Sequence, residues 1–302
     1  MSIEKAPTVL ITGFTDGSIG HSLVLSFARQ GYHVFTTARR LSAMSSLKTM
    51  PSVTLLELDV TSPESIRTVH GAVSAATPGR LDILYNNAGI RSVAMGIDST
   101  YKIATDTMAV NFSGIVEMVH VFSDLVIASK GKIVFTSSGA GKLPVPTAAI
   151  YNASKAALDL YAKTLRIEMQ PLGVGVINVI TGQIATAMGV QPLGALDASM
   201  LSFPANSVTI LRRWTCADGG TDSPYKSIEK DLNKFWTSDR PLMDVTKYSD
   251  SVVKKVTGNN SPELIWMNSD FVWWAYFLKL TWLFPIVFAK EFGLNELKVS
   301  KV

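Results

Sequence analysis

Short apolar runs alternate with longer amphipathic stretches over the first two-thirds of the chain. Apolar runs of about four to eight residues are typical of parallel strands buried on both faces, and the longer stretches have helical spacing. We predict strands at 9–12, 33–38, 54–59, 81–85, 132–136 and 174–180. Helices are predicted at 21–30, 100–129 and 151–170, and another begins at Ser62 with Pro63 in its first turn. The alternation predicts an α/β fold, a Rossmann-type doubly wound parallel sheet of about seven strands with helices on both faces.

The pattern loosens after Gly182. Gly, Pro and Ser are scattered over 185–224 without a period, which favours a flap over a binding site. Helical stretches follow near 225–236 and 248–257. We therefore predict one large domain at 1–257 and a hydrophobic, aromatic-rich helical extension at 258–302.

An apolar segment at 266–288 dominates that extension. It holds four of the six tryptophans, and from 271 to 288 only Lys279, Thr281 and Pro285 interrupt the apolar run. A spanning helix needs about 20 apolar residues, so a crossing of the membrane is disfavoured. Two alternatives stay open: the segment lies on a membrane or lipid-droplet surface, or it packs as a lid or subunit contact. Both predict apolar surroundings for whatever the protein binds.

Composition narrows the classes further. The 302 residues carry a net charge of +4 without a Lys/Arg run, so no nucleic-acid partner is expected. The single cysteine, Cys216, excludes an internal disulfide and a cysteine-based zinc cluster. The short polar start predicts no signal peptide. We expect a cytoplasmic protein, with the endoplasmic reticulum or lipid droplets as surfaces for peripheral attachment.

A glycine-containing loop, Thr12–Gly20, lies between the first strand and the first helix. Glycines allow a tight turn there and let the backbone approach a pyrophosphate, while the helix N-terminus supplies N–H groups. A plain turn is the alternative.

Three further strand ends suit a dinucleotide. Strand two ends in Arg39-Arg40, which offers bidentate partners to a 2′-phosphate where an NAD site would have an acid. Asp59-Val60 ends strand three, and its acid either accepts from an adenine amino group or caps a helix. Asn86–Gly89 ends strand four with small residues that leave room for a ring.

Tyr151 and Lys155 lie four residues apart on a helix, and Ser138 precedes them. This spacing puts the ammonium and the phenol on one helix face. A nearby cation lowers the pKa of a tyrosine, which makes the phenol a usable proton donor near neutral pH. The Ser138 hydroxyl would then hold a carbonyl oxygen as negative charge develops on it.

Together these motifs resemble the short-chain dehydrogenase/reductase family over residues 8–186. The resemblance implies that Tyr151 donates the proton, Lys155 assists it and binds the nicotinamide ribose, Ser138 orients the carbonyl and Asn111 relays protons. It also implies an NADP(H) cofactor. The implied contacts of that cofactor are Gly13, Ser18, Ile19, Gly20, Arg39, Asp59, Val60, Asn87, Ala88, Gly89, Tyr151, Lys155, Ile184 and Thr186.

Two motifs depart from the usual family pattern. The last glycine of the loop comes one residue late, at Gly20, which resembles the branch that contains fungal 1-acyldihydroxyacetone-phosphate reductases and secondary-metabolism reductases. Thr181-Gly182 stands where the family has Pro-Gly, and the loss of proline predicts a looser turn.

The resemblance implies NADPH-dependent reduction of a ketone on a hydrophobic, lipid-like or secondary-metabolite substrate. Two alternatives stay open: a redox-neutral epimerase, dehydratase or cyclase, and a non-catalytic NADP(H) sensor. Relatives often form homo-oligomers through their long central helices, and the unusual extension leaves that contact open here.

Overall fold

The computed structural model describes residues 6–186, 223–228, 231, 242–258, 260–268, 283–291 and 293–294. Most of the predicted flap at 185–224, most of the helix at 225–236 and residues 269–282 of the apolar segment lie outside this range. The fold and the site below concern the described residues.

A seven-stranded sheet forms the centre of the described part of the chain. All its neighbouring strands run parallel, in the order β3-β2-β1-β4-β5-β6-β7. The strands are β1 (Thr8–Ile11), β2 (His33–Ala38), β3 (Val53–Glu57), β4 (Ile83–Asn86), β5 (Lys132–Ser138), β6 (Gly175–Thr181) and β7 (Leu264–Met267). The order reverses between β1 and β4, and such a switch point opens a crevice at the carboxyl ends of the strands.

Helices cover both faces of the sheet. They are α1 (Ile19–Arg29), α2 (Pro63–Ala76), α3 (Tyr101–Met108), α4 (Gly114–Ser129), α5 (Ala149–Met169), α6 (Val245–Thr257) and α7 (Phe284–Glu291). A π-helical turn, Ala109–Ser113, joins α3 to α4. The Ser62 side chain accepts from the Ser65 backbone N–H at the start of α2, and Pro63 occupies the first turn as predicted.

The core has two halves, one on each face of the sheet. Helices α1 and α6 pack on one face through side chains such as Phe27 and Val252. Helices α2, α4 and α5 pack on the other through side chains such as Phe122 and Leu158. Each large apolar side chain buried in this way contributes about 1.5–3 kcal/mol. This packing fixes the positions of the carboxyl ends of the strands, from which the loops of the site project.

The predicted doubly wound α/β fold is confirmed. Six strands lie within two residues of their predicted bounds, whereas β7 was missed because the sequence analysis assigned its residues to the extension. Trp266, the predicted start of the apolar segment, is in β7 and pairs with Ile180 of β6. The sheet therefore extends past residue 257, the predicted end of the main domain.

One helical stretch in the described part, Tyr101–Ser129, has the length and composition of a membrane-spanning helix. In the fold it comprises α3, the π-helical turn and α4. Its residues Met118, Phe122 and Val126 are buried against the sheet. Core packing accounts for these three apolar residues.

Candidate active site

The glycine loop after β1 lies close against the loop after β4. Gly13 has φ +81°, and a Cβ there would lie 2.6 Å from the Cα of Ala88. At Gly20 a Cβ would overlap the carbonyl oxygen of Gly13. Both positions therefore require glycine. The late position of Gly20 suits this geometry, because it brings the second residue of α1 against the loop.

Asn87 and Thr12 join the two loops. The Asn87 Nδ2 donates to the carbonyl oxygens of Thr12 and Gly13, at 3.0 Å each, and its Oδ1 accepts from the Thr136 hydroxyl at 3.2 Å. The Thr12 Oγ1 accepts from the backbone N–H groups of Asn87 and Ala88. The Asn87 side chain thus holds the backbone of the glycine loop in place. Thr12 was missed as a site residue, because its role needs the β1–β4 adjacency.

The start of α1 faces this loop. Ser18 is the N-cap residue, and its hydroxyl accepts from the His21 backbone N–H at 3.2 Å. Ile19 is the first helical residue. The unpaired N–H groups and positive dipole of such a helix start attract a pyrophosphate, so the loop and helix fit a dinucleotide.

Arg39 and Asp59 end neighbouring strands and interact electrostatically. Burial lowers the pKa of the half-buried Arg39 guanidinium, and the charge of Asp59 raises it. The Asp59 Oδ1 accepts from the Thr61 backbone N–H at 2.9 Å and from its hydroxyl at 2.7 Å. The carboxylate therefore caps the turn after β3. The Val60 carbonyl lies against Gly114, where a Cβ would overlap it.

Asn111 lies in the π-helical turn and is fully buried. Its Oδ1 accepts from the Ile90 N–H and its Nδ2 donates to the Ile90 carbonyl, at 2.8 Å each. Nδ2 also donates to the Ser154 hydroxyl at 3.0 Å. The π-helical turn thus aims one amide at both the loop after β4 and helix α5. Such turns are frequent at functional sites.

Lys155 lies deep in the site on α5. Its side chain is 3% exposed, and its Nζ donates to the Thr136 carbonyl at 2.9 Å. The same Nζ lies 5.9 Å from the centre of the Tyr151 ring, and a Cβ on Gly89 would lie 3.5 Å from it. Burial lowers the pKa of Lys155 to about 8. The structure therefore brings Lys155, Tyr151 and Gly89 together.

The phenol of Tyr151 has a raised pKa. Burial raises the pKa of Tyr151, while a hydrogen bond with Ser138 and the positive charge of Arg91 lower it. The net change in the pKa is upward, whereas the sequence predicts a lowered pKa. The prediction is wrong because helical spacing does not show how deeply the phenol is buried. Ser138 also accepts from the Ala140 backbone N–H at 3.1 Å. Arg91 was missed in the sequence analysis.

The turn after β6 is fastened more firmly than the sequence predicts. The Thr181 hydroxyl forms a hydrogen bond with the buried Tyr248 hydroxyl at 2.7 Å, and the Gly182 N–H donates to the Met267 carbonyl at 2.8 Å. A Cβ on Gly182 would overlap the Asn268 carbonyl. The prediction of a looser turn is therefore wrong. The threonine supplies a hydroxyl that proline lacks, and the end of β7 packs directly against the glycine.

Two predicted cofactor contacts follow this turn. Ile184 is buried and pairs with Met243 in a short parallel bridge. Thr186 is half-buried and is the last residue of the described range 6–186. Both lie after the carboxyl end of β6, on the side of the sheet edge where the catalytic candidates lie.

Comparisons with known proteins match the part of the chain that contains the candidate site. A family model described as short chain dehydrogenase matches residues 7–193. An NADPH-dependent 1-acyldihydroxyacetone phosphate reductase of Schizosaccharomyces pombe is 40% identical over 206 residues, which cover 68% of this chain and 69% of that reductase. A reductase of the same name from Saccharomyces cerevisiae is 37% identical over 241 residues, covering 78% of this chain and 80% of the relative.

Among solved structures, a short-chain dehydrogenase from Streptomyces avermitilis has a TM-score of 0.71 with this chain. The match covers 93% of this chain and 95% of the other at 22% identity. That likeness concerns the fold alone.

Proposed function

The chain belongs to the short-chain dehydrogenase family, and from that premise we propose that it reduces a ketone on a hydrophobic substrate to an alcohol with NADPH. It is an oxidoreductase of the NADP-dependent kind. One observation carries the finer proposal: Tyr151, Ser138 and Lys155 lie together at the site. The glycine loop after β1 packs closely against the loop after β4 beside them.

NADP(H) is the cofactor, as the NADPH dependence of both fungal reductases supports. The residues fit it: Gly13 and Gly20 leave a cradle that a Cβ would fill, the start of α1 offers N–H groups, and Arg39 offers a cation at the end of β2. When bound, NADPH supplies a hydride to the carbonyl carbon.

The chain's own residues manage the carbonyl oxygen. We assign Tyr151 as the donor of the proton that completes the alcohol, because its raised pKa keeps the phenol protonated at neutral pH. Ser138 holds the same oxygen by a hydrogen bond while negative charge develops. The Lys155 ammonium stabilises the phenolate that remains, and Asn111 positions the loop after β4 and helix α5 around it.

The relatives and the composition support the proposed substrate class. Both reductases act on an acyl-bearing ketone by name, and the extension of this chain is apolar. We also propose peripheral attachment to a membrane or lipid droplet through the apolar extension of the chain.

The direct test is consumption of NADPH by the purified full-length protein with a panel of hydrophobic ketones. The panel includes an acyl-dihydroxyacetone phosphate, and loss of NADPH absorbance is followed. We expect turnover with NADPH and much weaker turnover with NADH. Tight NADPH binding without reduction of any ketone would count against the proposal and favour a sensor.

Replacing Arg39 by alanine should weaken the binding of NADPH and not the binding of NADH. A charge-assisted hydrogen bond to the 2′-phosphate contributes about 1.5–3 kcal/mol, so KM for NADPH should rise about 10- to 100-fold. KM for NADH should stay unchanged, because NADH has no phosphate there. The matched control is Arg40→Ala, whose exposed side chain predicts a smaller effect. Equal losses with both cofactors would show that Arg39 acts on the fold instead.

The rate of reduction should fall at alkaline pH. A lysine is charged below its pKa, so the Lys155 ammonium is lost as the pH rises through about 8. Tyr151 keeps its proton over this range, since its pKa is raised. We expect kcat/KM to drop about tenfold per pH unit above the break. A profile that stays flat there would exclude a role for the ammonium, and Lys155→Arg should move the break upward.

A further inference from the structure

The segment after β5 carries Ser138 and then turns onto helix α5. At the start of the turn, Gly139–Gly141, the Ser138 hydroxyl accepts from the Ala140 backbone N–H at 3.1 Å. A Cβ on Gly141 would lie 2.8 Å from the carbonyl carbon of Lys155, so the backbone of the turn lies directly on the helix at the catalytic lysine. The position of Ser138 relative to Lys155 therefore depends on how this segment is held against α5.

A buried ion pair fastens the end of the segment. Lys142 follows the turn directly, and its ammonium donates to the Asp159 Oδ2. Both side chains are more than nine-tenths buried. Asp159 lies one helical turn beyond Lys155, and its Oδ1 accepts from the Asn178 Nδ2 of β6 at 2.9 Å. The carboxylate is thus bound to the sheet through one oxygen and to Lys142 through the other.

The chemical step itself assigns no task to this pair. Reduction of a ketone at this site uses Tyr151, Ser138 and Lys155, whereas Lys142 and Asp159 lie behind them along α5. Burying two charges costs free energy that a well-packed apolar pair would not cost. In the best-attested cases a buried ionic pair specifies one geometry among several, and here the geometry that it joins is that of two catalytic segments.

We propose that the Lys142–Asp159 pair positions Ser138 against the carbonyl oxygen of the substrate. Lys142 and Asp159 are then positioning residues that act through Ser138. The inference rests on the proposed reductase function and deepens it. The Ser138 hydroxyl has to meet the carbonyl oxygen while Tyr151 gives up its proton, and a displacement of about 1 Å can cost about 100-fold in rate.

The kinetic test removes Lys142 and leaves Asp159 paired. In Lys142→Met the carboxylate keeps its ion pair with Lys163 and its hydrogen bond from Asn178. The matched control is Lys163→Met, which removes the other cation of the same carboxylate. Lys163 lies on α5 four residues after Asp159, so this pair joins two points of one helix and not the helix to the segment after β5.

Single-turnover kinetics with saturating NADPH and the best ketone of the panel should show a fall of about 10- to 100-fold in the rate for Lys142→Met. Lys163→Met should keep the wild-type rate. The KM for NADPH should stay unchanged in both variants, because the glycine loop and Arg39 are untouched. Lys142→Gln, which keeps a donor but not the charge, should show the same pattern with a smaller loss, and it replaces Lys142→Met if that variant does not fold. A wild-type rate in the Lys142 variants would overturn the inference.

A double-substitution cycle tests whether the pair acts through Ser138. In a Ser138→Ala background the hydroxyl is already absent, so Lys142→Met should lower the remaining rate by less than about twofold. A merely structural role of Lys142 would lower the rate by the same factor in both backgrounds. That result would also overturn the inference.

Amide hydrogen exchange tests the hold on the segment without any turnover. The Ala140 and Lys142 backbone N–H groups are both hydrogen-bonded within the turn. Their exchange is followed by mass spectrometry on the full-length protein saturated with NADP⁺, with correction for the side chain at 142. In Lys142→Met both amides should exchange about tenfold faster, the change expected for one missing hydrogen bond, while Lys163→Met matches wild type.

The exchange result separates this inference from the reductase function. If no ketone is reduced but the two amides lose protection only in Lys142→Met, the reductase proposal fails and the hold on the Ser138 segment stands. If ketones are reduced but exchange in Lys142→Met equals that of wild type, the reductase proposal stands and the positioning role is wrong.

Discussion

Replacing Tyr151 by phenylalanine is expected to lower kcat for ketone reduction about a thousandfold, the loss typical of a missing general acid. The change removes only the phenol oxygen, so the ring keeps its place above Lys155 and beside Ser138. NADPH should bind with unchanged affinity, because the glycine loop and Arg39 are untouched. Single-turnover kinetics with saturating NADPH measures the chemical step directly.

The matched control is Tyr161→Phe on the same helix. The Tyr161 ring packs edge-on against Phe112 and Phe135, and phenylalanine preserves those contacts. This variant should keep wild-type kcat and melting temperature. Full activity in Tyr151→Phe would show that another group supplies the proton.

The second large effect concerns stability. Asp159 on α5 is 8% exposed and pairs with Lys142, which is 7% exposed, and with Lys163. Its other oxygen accepts from the Asn178 side chain at 2.9 Å. Asp159→Ala leaves the buried Lys142 ammonium without this partner, and loss of one member of a buried pair costs about 3–5 kcal/mol. Chemical denaturation should show a loss of this size in the free energy of unfolding.

An exposed pair on α3 is the control. Asp106 pairs with Lys102 on the surface, and Asp106→Ala should cost less than about 1 kcal/mol. Equal effects of the two substitutions would contradict the account of Asp159.

The same cluster predicts sensitivity to acid. Burial raises the pKa of Asp159, but the hydrogen bonds from Lys142 and Lys163 outweigh it and the net direction is downward. A carboxyl with a lowered pKa stabilises the fold above its unfolded pKa, and that stability is lost as the pH falls through the folded pKa. Asp159→Ala should therefore show a weaker loss of stability with acid than wild type.

The sequence predicts much of the fold because buried parallel strands are continuous apolar runs. Strands β2 and β6 lie almost where the pattern puts them. The sequence analysis missed β7 because it counted Trp266 as the start of the apolar segment and so placed Leu264–Met267 in the extension. The pairing with β6 shows that this short strand belongs to the sheet.

The candidate site divides in the same way. Residues with local spacing, such as Tyr151 and Lys155, can be predicted from helical periodicity. Thr12 and Arg91 could not, because their importance depends on which loops lie side by side at the sheet edge. The turn at Thr181 shows the same limit, since the partner of its hydroxyl, Tyr248, is 67 residues away.

The central claim is that a hydride passes from NADPH to a carbonyl carbon held at Tyr151. The most direct measurement uses NADPH deuterated at the transferable position of its nicotinamide, with mass spectrometry of the product formed from an acyl-dihydroxyacetone phosphate. The account predicts one deuterium on the new carbinol carbon for each NADPH consumed. A product without deuterium, formed with no net loss of NADPH, would contradict it and identify a redox-neutral enzyme.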